Sequence, residues 1–139
     1  MQGNPEIEWI QLEEDAEHYI SESNTFQFEN LMVYQKSLLF IDSIYKLTEH
    51  FPKEEEYRIK SQFIRAANSI ALNIAEGSGG TKNEFKNFLR ISKRSIRECV
   101  VCGTICRMQS FINVDQENES RNRLIELSKM INGLIKSIN

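Results

Sequence analysis

The segment from Gln62 to Gly77 constrains the fold of this chain more than any other part. Ile70 and Ile74 supply apolar bulk at helical spacing. The small residues between them and around them are Ala66, Ala67, Ser69, Ala71 and Ala75. Because small side chains let a neighbouring helix approach closely, the segment predicts a packing helix. It contains no nucleophile, metal-ligand set or phosphate-binding loop, which favours a scaffold over an enzyme.

A low content of helix breakers favours long helices throughout the chain. The 139 residues include two prolines and six glycines, and apolar residues recur at three- and four-residue spacing in four stretches. We predict helices over about 29–50, 53–77, 82–110 and 115–138. A lone helix of this length is marginal in water, so the apolar stripes must pack together. Short connections then predict an all-α, antiparallel up-down four-helix bundle over residues 26–139.

Capping signals mark several helix ends. Gly77 predicts a left-handed cap that closes the second helix. Thr81, followed three residues later by Glu84, predicts a capping box for the third helix. Asp115 is the expected cap of the fourth helix.

Two apolar stripes define much of the expected core. The stripe of the first helix consists of Leu31, Tyr34, Leu38, Ile41, Tyr45 and Thr48. The stripe of the last helix is a heptad seam formed by Leu124, Leu127, Ile131, Leu134 and Ile138. On the second helix, Asn73 either specifies helix register or, with Glu76, bonds across to Tyr34, Gln35 or Ser95.

The charge is distributed unevenly. Residues 1–25 carry seven acidic residues and no Lys or Arg, whereas the rest of the chain carries 13 acidic and all 17 basic residues. The sequence therefore divides into an acidic N-terminal extension, residues 1–25, and a bundle with a net charge of +4. Such a split is typical of an interaction tail.

The acidic extension has two interpretations. It is either a disordered solubilising segment or a short amphipathic helix that binds a basic partner through Trp9, Ile10 and Leu12. Tryptophan with flanking aliphatic residues is a common anchor composition, which favours the second. We also hypothesise that the extension folds back on the face of the third helix between Lys86 and Arg97.

Basic residues follow one side of the third predicted helix. They are Lys82, Lys86, Arg90, Lys93, Arg94 and Arg97. Cations at this pitch can meet phosphates about once per turn and release their counterions. The alternative is a solvated face partly neutralised by Glu84 and Glu98. No aromatic residue interleaves the row, so we expect RNA or DNA to be held by its backbone without sequence readout.

Other candidate groups have simpler explanations. Arg58 and Arg65 on the second helix either extend the basic surface or form ion pairs. The three cysteines, Cys99, Cys102 and Cys106, share one helical face and are expected to pack as small hydrophobes rather than to bind metal. Neither histidine lies beside a nucleophile or an arginine that would complete a catalytic pair. We therefore expect no enzymatic activity, no metal and no cofactor.

Several motifs resemble those of a bacterial four-helix bundle family. They are Phe28-Glu-Asn-Leu-Met-Val-Tyr-Gln-Lys36, Phe51-Pro52, Arg65-Ala-Ala-x-Ser-Ile70, Asn73-Ile-Ala-Glu-Gly77, Phe85-x-x-Phe-Leu89 and Ser95-x-x-Glu98. The family includes the proteins encoded in intervening sequences of 23S rRNA genes and the accessory variability determinant of diversity-generating retroelements. Two features depart from its pattern: Ala71-Leu72 replaces a frequent proline, and Lys93-Arg94 replaces a small residue.

The resemblance implies a homo-oligomeric ring, usually a pentamer. It also implies an accessory role with nucleic acid or a reverse transcriptase and no catalytic activity. We therefore predict a nucleic-acid or reverse-transcriptase accessory protein. The alternative is a protein-interaction scaffold that recruits its partner through the acidic tail. No stretch has the roughly 20 apolar residues of a membrane span, and no basic residue precedes Lys36, so we expect a cytoplasmic protein without membrane contact.

Overall fold

The computed structural model describes residues 26–139, and within that range the secondary structure is entirely helical. Its helices are α1 (Met32–Thr48), α2 (Ile59–Ser78), α3 (Lys82–Met108) and α4 (Val114–Ser137). Short 3₁₀ turns at Gln27–Asn30 and Lys53–Glu55 precede α1 and α2. The predicted all-α four-helix fold is confirmed. The predictions for the acidic extension concern residues outside the described range.

Contacts between α2 and α3 establish their antiparallel arrangement. The Ser95 hydroxyl donates to the Ser69 hydroxyl at 2.8 Å, and the Ser92 hydroxyl donates to the carbonyl of Ile70 at 2.9 Å. Farther along α2, Gly77 lies against Phe88, which comes earlier on α3. Residue numbers therefore rise on one helix as they fall on the other.

The loops show which helix ends lie together at each end of the bundle. The rings of Phe51, just after α1, and Phe111, just after α3, lie 5.3 Å apart. The connections after α2 and α3 are short, which reverses the chain each time. Hence α1 and α3 run in the same direction, and Phe26 and Lys82 lie at the same end of the bundle.

The core joins all four helices. Its fully buried large side chains include Phe40, Phe63, Ile70, Leu89 and Ile131. The heptad seam of α4 is confirmed, because its first three members are buried and its last two pack against the core. None of the helices in residues 26–139 combines the length and apolar character that crossing a membrane requires.

The predicted stripe of α1 is wrong in part. Tyr45 is exposed, and the face that enters the core carries Val33, Phe40 and Ile44. Ser37 also lies on this face, where its hydroxyl donates to the carbonyl of Val33 at 2.6 Å. The buried face is therefore rotated by about one position from most of the predicted stripe, although Thr48, the last member of that stripe, is fully buried.

The predicted ends of α2 also differ from the observed ones. The three glutamates after Lys53 lie in a 3₁₀ turn and the residues that follow it, and Arg58 has a non-helical backbone (φ −116°, ψ −119°) that delays the start of α2 to Ile59. At the other end, no glycine in the described range has a positive φ, so the predicted left-handed cap at Gly77 is wrong. Gly77 instead allows α2 and α3 to approach closely.

The caps of α3 and α4 are formed by side chains. Thr81 accepts a hydrogen bond from the backbone N–H of Glu84 at 3.2 Å, so the predicted cap is confirmed, but the reciprocal bond that would complete the predicted capping box is not formed. The cap of α4 is Asn113 rather than Asp115. Asn113 and Gln116 form a reciprocal capping box, with each side chain accepting from the other residue's backbone N–H.

The hydrogen bonds predicted for Asn73 are wrong. Its amide donates to the carbonyl and the hydroxyl of Ser69, on its own helix, at 2.8 and 2.9 Å. The Ser69 hydroxyl accepts the bond from Ser95 described above, so Asn73 reaches α3 only through Ser69. The amide of Gln35 donates to the carbonyl of Glu29 instead.

Candidate nucleic-acid interface

Six cations occupy one side of α3. This basic row consists of Lys82, Lys86, Arg90, Lys93, Arg94 and Arg97. On a helix with 3.6 residues per turn, their positions fall within about 120° of the circumference. Cys99, Cys102 and Cys106, which are buried, lie on the opposite side of α3. The core therefore holds the helix so that the row faces outward.

The basic row is open to solvent and electrostatically unsatisfied. Lys86 and Lys93 are half-buried, and the other four members are exposed. Within residues 26–139, no member forms an ion pair with a carboxylate. The one side-chain partner of Arg90 is the neutral amide oxygen of Asn87, 3.1 Å from Nη1. Most donors of the row are therefore available to an external anion.

The remaining cations of the protein behave differently. Seven of the 17 Lys and Arg residues pair with carboxylates of the described range. Arg107, at the end of α3, is one of these, because its Nε donates to Glu117 at 2.7 Å. Of the ten that do not pair there, six form the basic row. Within residues 26–139, most of the cations that lack a carboxylate partner thus lie on α3.

Helix stability does not explain the position of the first two cations. Lys82 is the first residue of α3, where the positive end of the helix dipole disfavours a cation by a few tenths of a kcal/mol at an exposed site. Lys86 is the fifth residue, beyond the first turn, and gains nothing from the dipole. An anionic partner would offset this cost.

Two further lysines were missed by the sequence analysis. Lys129 and Lys136 are exposed on α4, seven residues apart, and neither pairs with a carboxylate in residues 26–139. The side-chain contacts of Arg107 with Glu117 and of Arg121 with Thr104 fix the register of α3 and α4. That register places Lys129 near the level of Arg94 and Lys136 near the level of Lys86. The sequence could have revealed both lysines, because they fall outside the heptad seam and are therefore expected on the solvent side of α4.

The outer side of α3 changes character after Arg97. Val101, Ile105 and Met108 continue the line of the basic row at helical spacing, with exposed fractions of 57%, 37% and 68%. We call these three residues the apolar end of α3. The sequence analysis overlooked these three residues, although their helical spacing from Arg94 and Arg97 indicates that they lie on the same side of α3.

Arg58, just before α2, and Arg65, on α2, were predicted to be site residues, but neither extends the basic side of α3. Arg58 pairs with Glu55 across 3.9 Å, as the ion-pair alternative predicted. Arg65 is exposed and lines a groove with Tyr45 and Leu72 on the outer side of α2. The residues that line that groove belong to α1, to α2 and to the segment just before α2, and none belongs to α3.

The three cysteines belong to the core. Cys99, Cys102 and Cys106 are free thiols, and each is at most 1% exposed. Burial raises the pKa of Cys102 to about 11 and that of Cys106 to about 12, and it raises the pKa of Cys99 further still. At neutral pH the thiols are protonated and unreactive. In the described range, no three His, Cys, Asp or Glu residues cluster as metal ligands do.

The partner-binding residues predicted for the acidic extension, Trp9, Ile10 and Leu12, lie outside the described range. The interface that the structure describes therefore consists of the basic row, the apolar end of α3 and the two lysines of α4.

Comparison with known proteins identifies the family. A sequence profile of the 23S rRNA-intervening sequence proteins matches residues 29–133, about three-quarters of the chain. The chain belongs to this family. The first part of the predicted resemblance is thereby confirmed, and the match spans all four helices of this 23S rRNA-intervening sequence protein.

A solved structure also resembles this 23S rRNA-intervening sequence protein. It is the crystal structure of a protein with unknown function from the S23 ribosomal protein family of Bacteroides thetaiotaomicron VPI-5482. The two share 25% sequence identity and a TM-score of 0.68, over 76% of this chain and 100% of the other. No curated protein matches the chain. The fold is thus shared with a second protein, and the acidic extension lies outside the family match.

Proposed function

We propose that this protein is a non-enzymatic accessory protein whose basic row binds the phosphates of RNA or DNA. One observation carries the proposal: six cations share the outer side of α3, and none pairs with a carboxylate of residues 26–139. A protein that neutralises phosphates with Lys and Arg releases condensed counterions, and this release drives binding at low salt.

The dimensions of the basic row suit a phosphate backbone. From Lys82 to Arg97 the helix rises by about 22 Å, and duplex DNA of that length carries about 13 phosphates. The aromatic side chains of α3, Phe85 and Phe88, are half-buried and pack toward Gly77 rather than along the row. Without exposed rings to stack on bases, the row holds backbones of any sequence.

We extend the proposal to assembly and partner. A homo-oligomeric ring, with a pentamer favoured, would repeat a weak basic row on one particle, so that several contacts act together. The family resemblance supports a reverse transcriptase of a diversity-generating retroelement, or its complex with nucleic acid, as the working partner. Solution mass with and without RNA tests the assembly, and a reverse transcriptase gene beside this one would support the partner.

Charge reversal tests the phosphate contacts. We expect the double variant Lys93→Glu and Arg94→Glu to bind mixed-sequence duplex DNA about 60-fold more weakly at 0.1 M salt, since two phosphate contacts are lost. Fluorescence anisotropy of a labelled duplex measures this change, and circular dichroism checks that the helices persist.

A matched control separates local contact from net charge. The double variant Lys46→Glu and Lys53→Glu changes the charge by the same amount on α1 and on the turn after it, at the end of the bundle opposite to Lys82. It should retain binding close to that of the wild type. Equal losses in both double variants would show that net charge, and not the basic row, governs binding, and would overturn the proposal.

A protein-interaction scaffold is the second candidate function. The exposed apolar end of α3 favours it, because nucleic-acid backbones make little use of Val101, Ile105 and Met108. If the protein is such a scaffold, neither RNA nor DNA binds to it in a salt-dependent manner. The Lys93→Glu, Arg94→Glu variant then still binds the protein partner, because the acidic tail recruits it.

A further inference from the structure

The outer side of α3 has a defined order of chemistry. The basic row occupies its first two-thirds and the apolar end occupies its last third. A partner that covers the whole side must therefore present carboxylates and apolar anchors in matching order. Residues 1–25 of this chain have that composition, with seven acidic residues and no Lys or Arg.

The order within the acidic extension fits α3 in one direction. Its apolar anchors, Trp9, Ile10 and Leu12, come before a cluster of acidic residues. The members of the cluster are Glu13, Glu14, Asp15 and Glu17. Because α3 presents cations first and apolar residues last, these anchors and this cluster meet matching chemistry when the extension runs antiparallel to α3. Two acidic residues, Glu6 and Glu8, precede the anchors, and Tyr19 and Ile20 follow the cluster, so the direction rests mainly on the fold.

The fold imposes the same direction independently. Phe26, where the described chain begins, lies at the end of the bundle where α3 starts at Lys82. A segment that leaves this end and extends along α3 must run antiparallel to it. From Lys82 to Val101 the helix rises by about 29 Å, whereas the 14 residue steps from Leu12 to Phe26 span up to about 46 Å. The extension is long enough to reach the apolar end of α3.

We propose that residues 7–22 dock on the outer side of α3 of the same chain, antiparallel to it. Trp9 contacts the apolar end, and the carboxylates from Glu13 to Glu22 pair with the basic row. This inference rests on the proposed function for its consequence: the docked segment covers the cations that would contact phosphate, so it inhibits nucleic-acid binding. An oligonucleotide and the segment then compete for one surface.

The single tryptophan of the chain provides a test that needs no nucleic acid. Trp9 is the only Trp in the sequence, so tryptophan emission from the full chain reports on the extension alone. In the wild type at low salt, we expect emission at shorter wavelength than in the urea-unfolded chain and protection from acrylamide quenching. The double variant Val101→Glu and Met108→Glu should lose both effects, and so should Lys93→Glu with Arg94→Glu.

Leu72→Glu is the matched control for the apolar contact. Leu72 is 66% exposed on α2, in a groove that no residue of α3 lines, so its substitution should leave Trp9 emission unchanged. If Leu72→Glu releases Trp9, or if Trp9 in the wild type is as accessible as in the unfolded chain, the docking proposal is overturned. Protection that weakens on dilution would show docking onto a neighbouring chain and would overturn the intramolecular arrangement.

Deletion of residues 1–25 tests the inhibitory consequence. If the segment occupies α3 nine-tenths of the time, its deletion raises the apparent affinity for mixed-sequence DNA about tenfold at low salt. Unchanged affinity despite protected Trp9 would overturn inhibition while leaving docking in place. No binding by the shortened chain would instead overturn the proposed function. The two readouts therefore separate failure of this inference from failure of nucleic-acid binding.

Discussion

Gly77→Ala is the most informative test of how α2 and α3 pack. A Cβ atom built on Gly77 would lie 2.4 Å from Cβ of Phe88, whereas ordinary van der Waals contact begins at 3.4 Å. Both atoms are fixed to the backbone, so no rotamer change can separate them. The two helices would have to part by about 1 Å at this point, and the neighbouring bonds between α2 and α3 would be strained.

The expected magnitude combines two opposing effects. Overpacking of this kind costs about 1–3 kcal/mol, and the absence of a rotamer that relieves the overlap places Gly77→Ala in the upper part of that range. Replacing a helical glycine by alanine returns about 1 kcal/mol through helix propensity. The net loss of unfolding free energy is therefore about 1–2 kcal/mol, which lowers Tm by about 4–8 °C in a domain of this size.

Urea unfolding followed by circular dichroism measures this loss, and Gly133→Ala is the control. Gly133 lies within α4, and a Cβ built there meets no atom within 4 Å. The control should be more stable than the wild type by up to about 1 kcal/mol, because only the propensity gain remains. If Gly77→Ala is as stable as Gly133→Ala, the close approach of α2 and α3 at Phe88 is not required and the reasoning is refuted.

Two further predictions concern a helix cap and the buried thiols. Asn113→Ala removes the capping box with Gln116 and should lower the unfolding free energy by about 1 kcal/mol in urea melts; no change would show that the cap is dispensable. In the unfolded chain the thiols ionise above their ordinary pKa of 9.0, whereas burial raises the pKa in the folded protein to about 11 at Cys102 and about 12 at Cys106. Since the unfolded chain then loses protons that the folded protein keeps, stability is intact below pH 9 and falls as pH rises from 9 toward 11, by about 1.4 kcal/mol per pH unit for each thiol. The variant Cys102→Ala with Cys106→Ala should show a slope shallower by about 3 kcal/mol per pH unit between pH 9 and pH 11, and an unchanged slope would contradict the burial argument.

Much of this fold follows from sequence pattern. The heptad seam of α4 and the row of cysteines on α3 have regular spacing, and spacing fixes which side of a helix faces the core. The cap at Thr81 was equally predictable, since its hydroxyl and the N–H of Glu84 are local in sequence. Several features that depend on one helix alone were therefore recovered, but not all of them, since the local cap of α4 is Asn113 and not Asp115.

Features that depend on contact between helices were not recovered. Apolar residues lie on more than one side of α1, and only packing against α2 and α4 selects Phe40 and Ile44 over Tyr45. A glycine at position 77 is compatible either with a helix cap or with the close approach of a second helix. Only the position of Phe88, against Gly77, distinguishes the two roles. Asn73 is a different case, because its bonds to Ser69 lie within α2, and the cross-helix prediction overlooked a partner only four residues away.

The candidate interface shows the same division. The spacing of the basic row predicted that its members share one side of α3, and the structure places them there. Spacing could not show whether carboxylates of other helices neutralise Arg90 and Arg97, since that depends on tertiary placement. Nor could it show that Lys129 and Lys136 stand at the level of the row, because the register of α3 and α4 is set by contacts such as that of Arg107 with Glu117.

The salt dependence of DNA binding tests the central claim most directly. Arg90→Gln with Arg97→Gln removes two outward-facing charges of the basic row without adding repulsion. With residues 1–25 deleted in both the wild-type and variant chains, the plot of log K against log salt on duplex DNA should become shallower by about 1.8. The loss of affinity should be the same on unrelated sequences. An unchanged slope, or a loss confined to one sequence, would contradict the claim that the outer side of α3 binds phosphate.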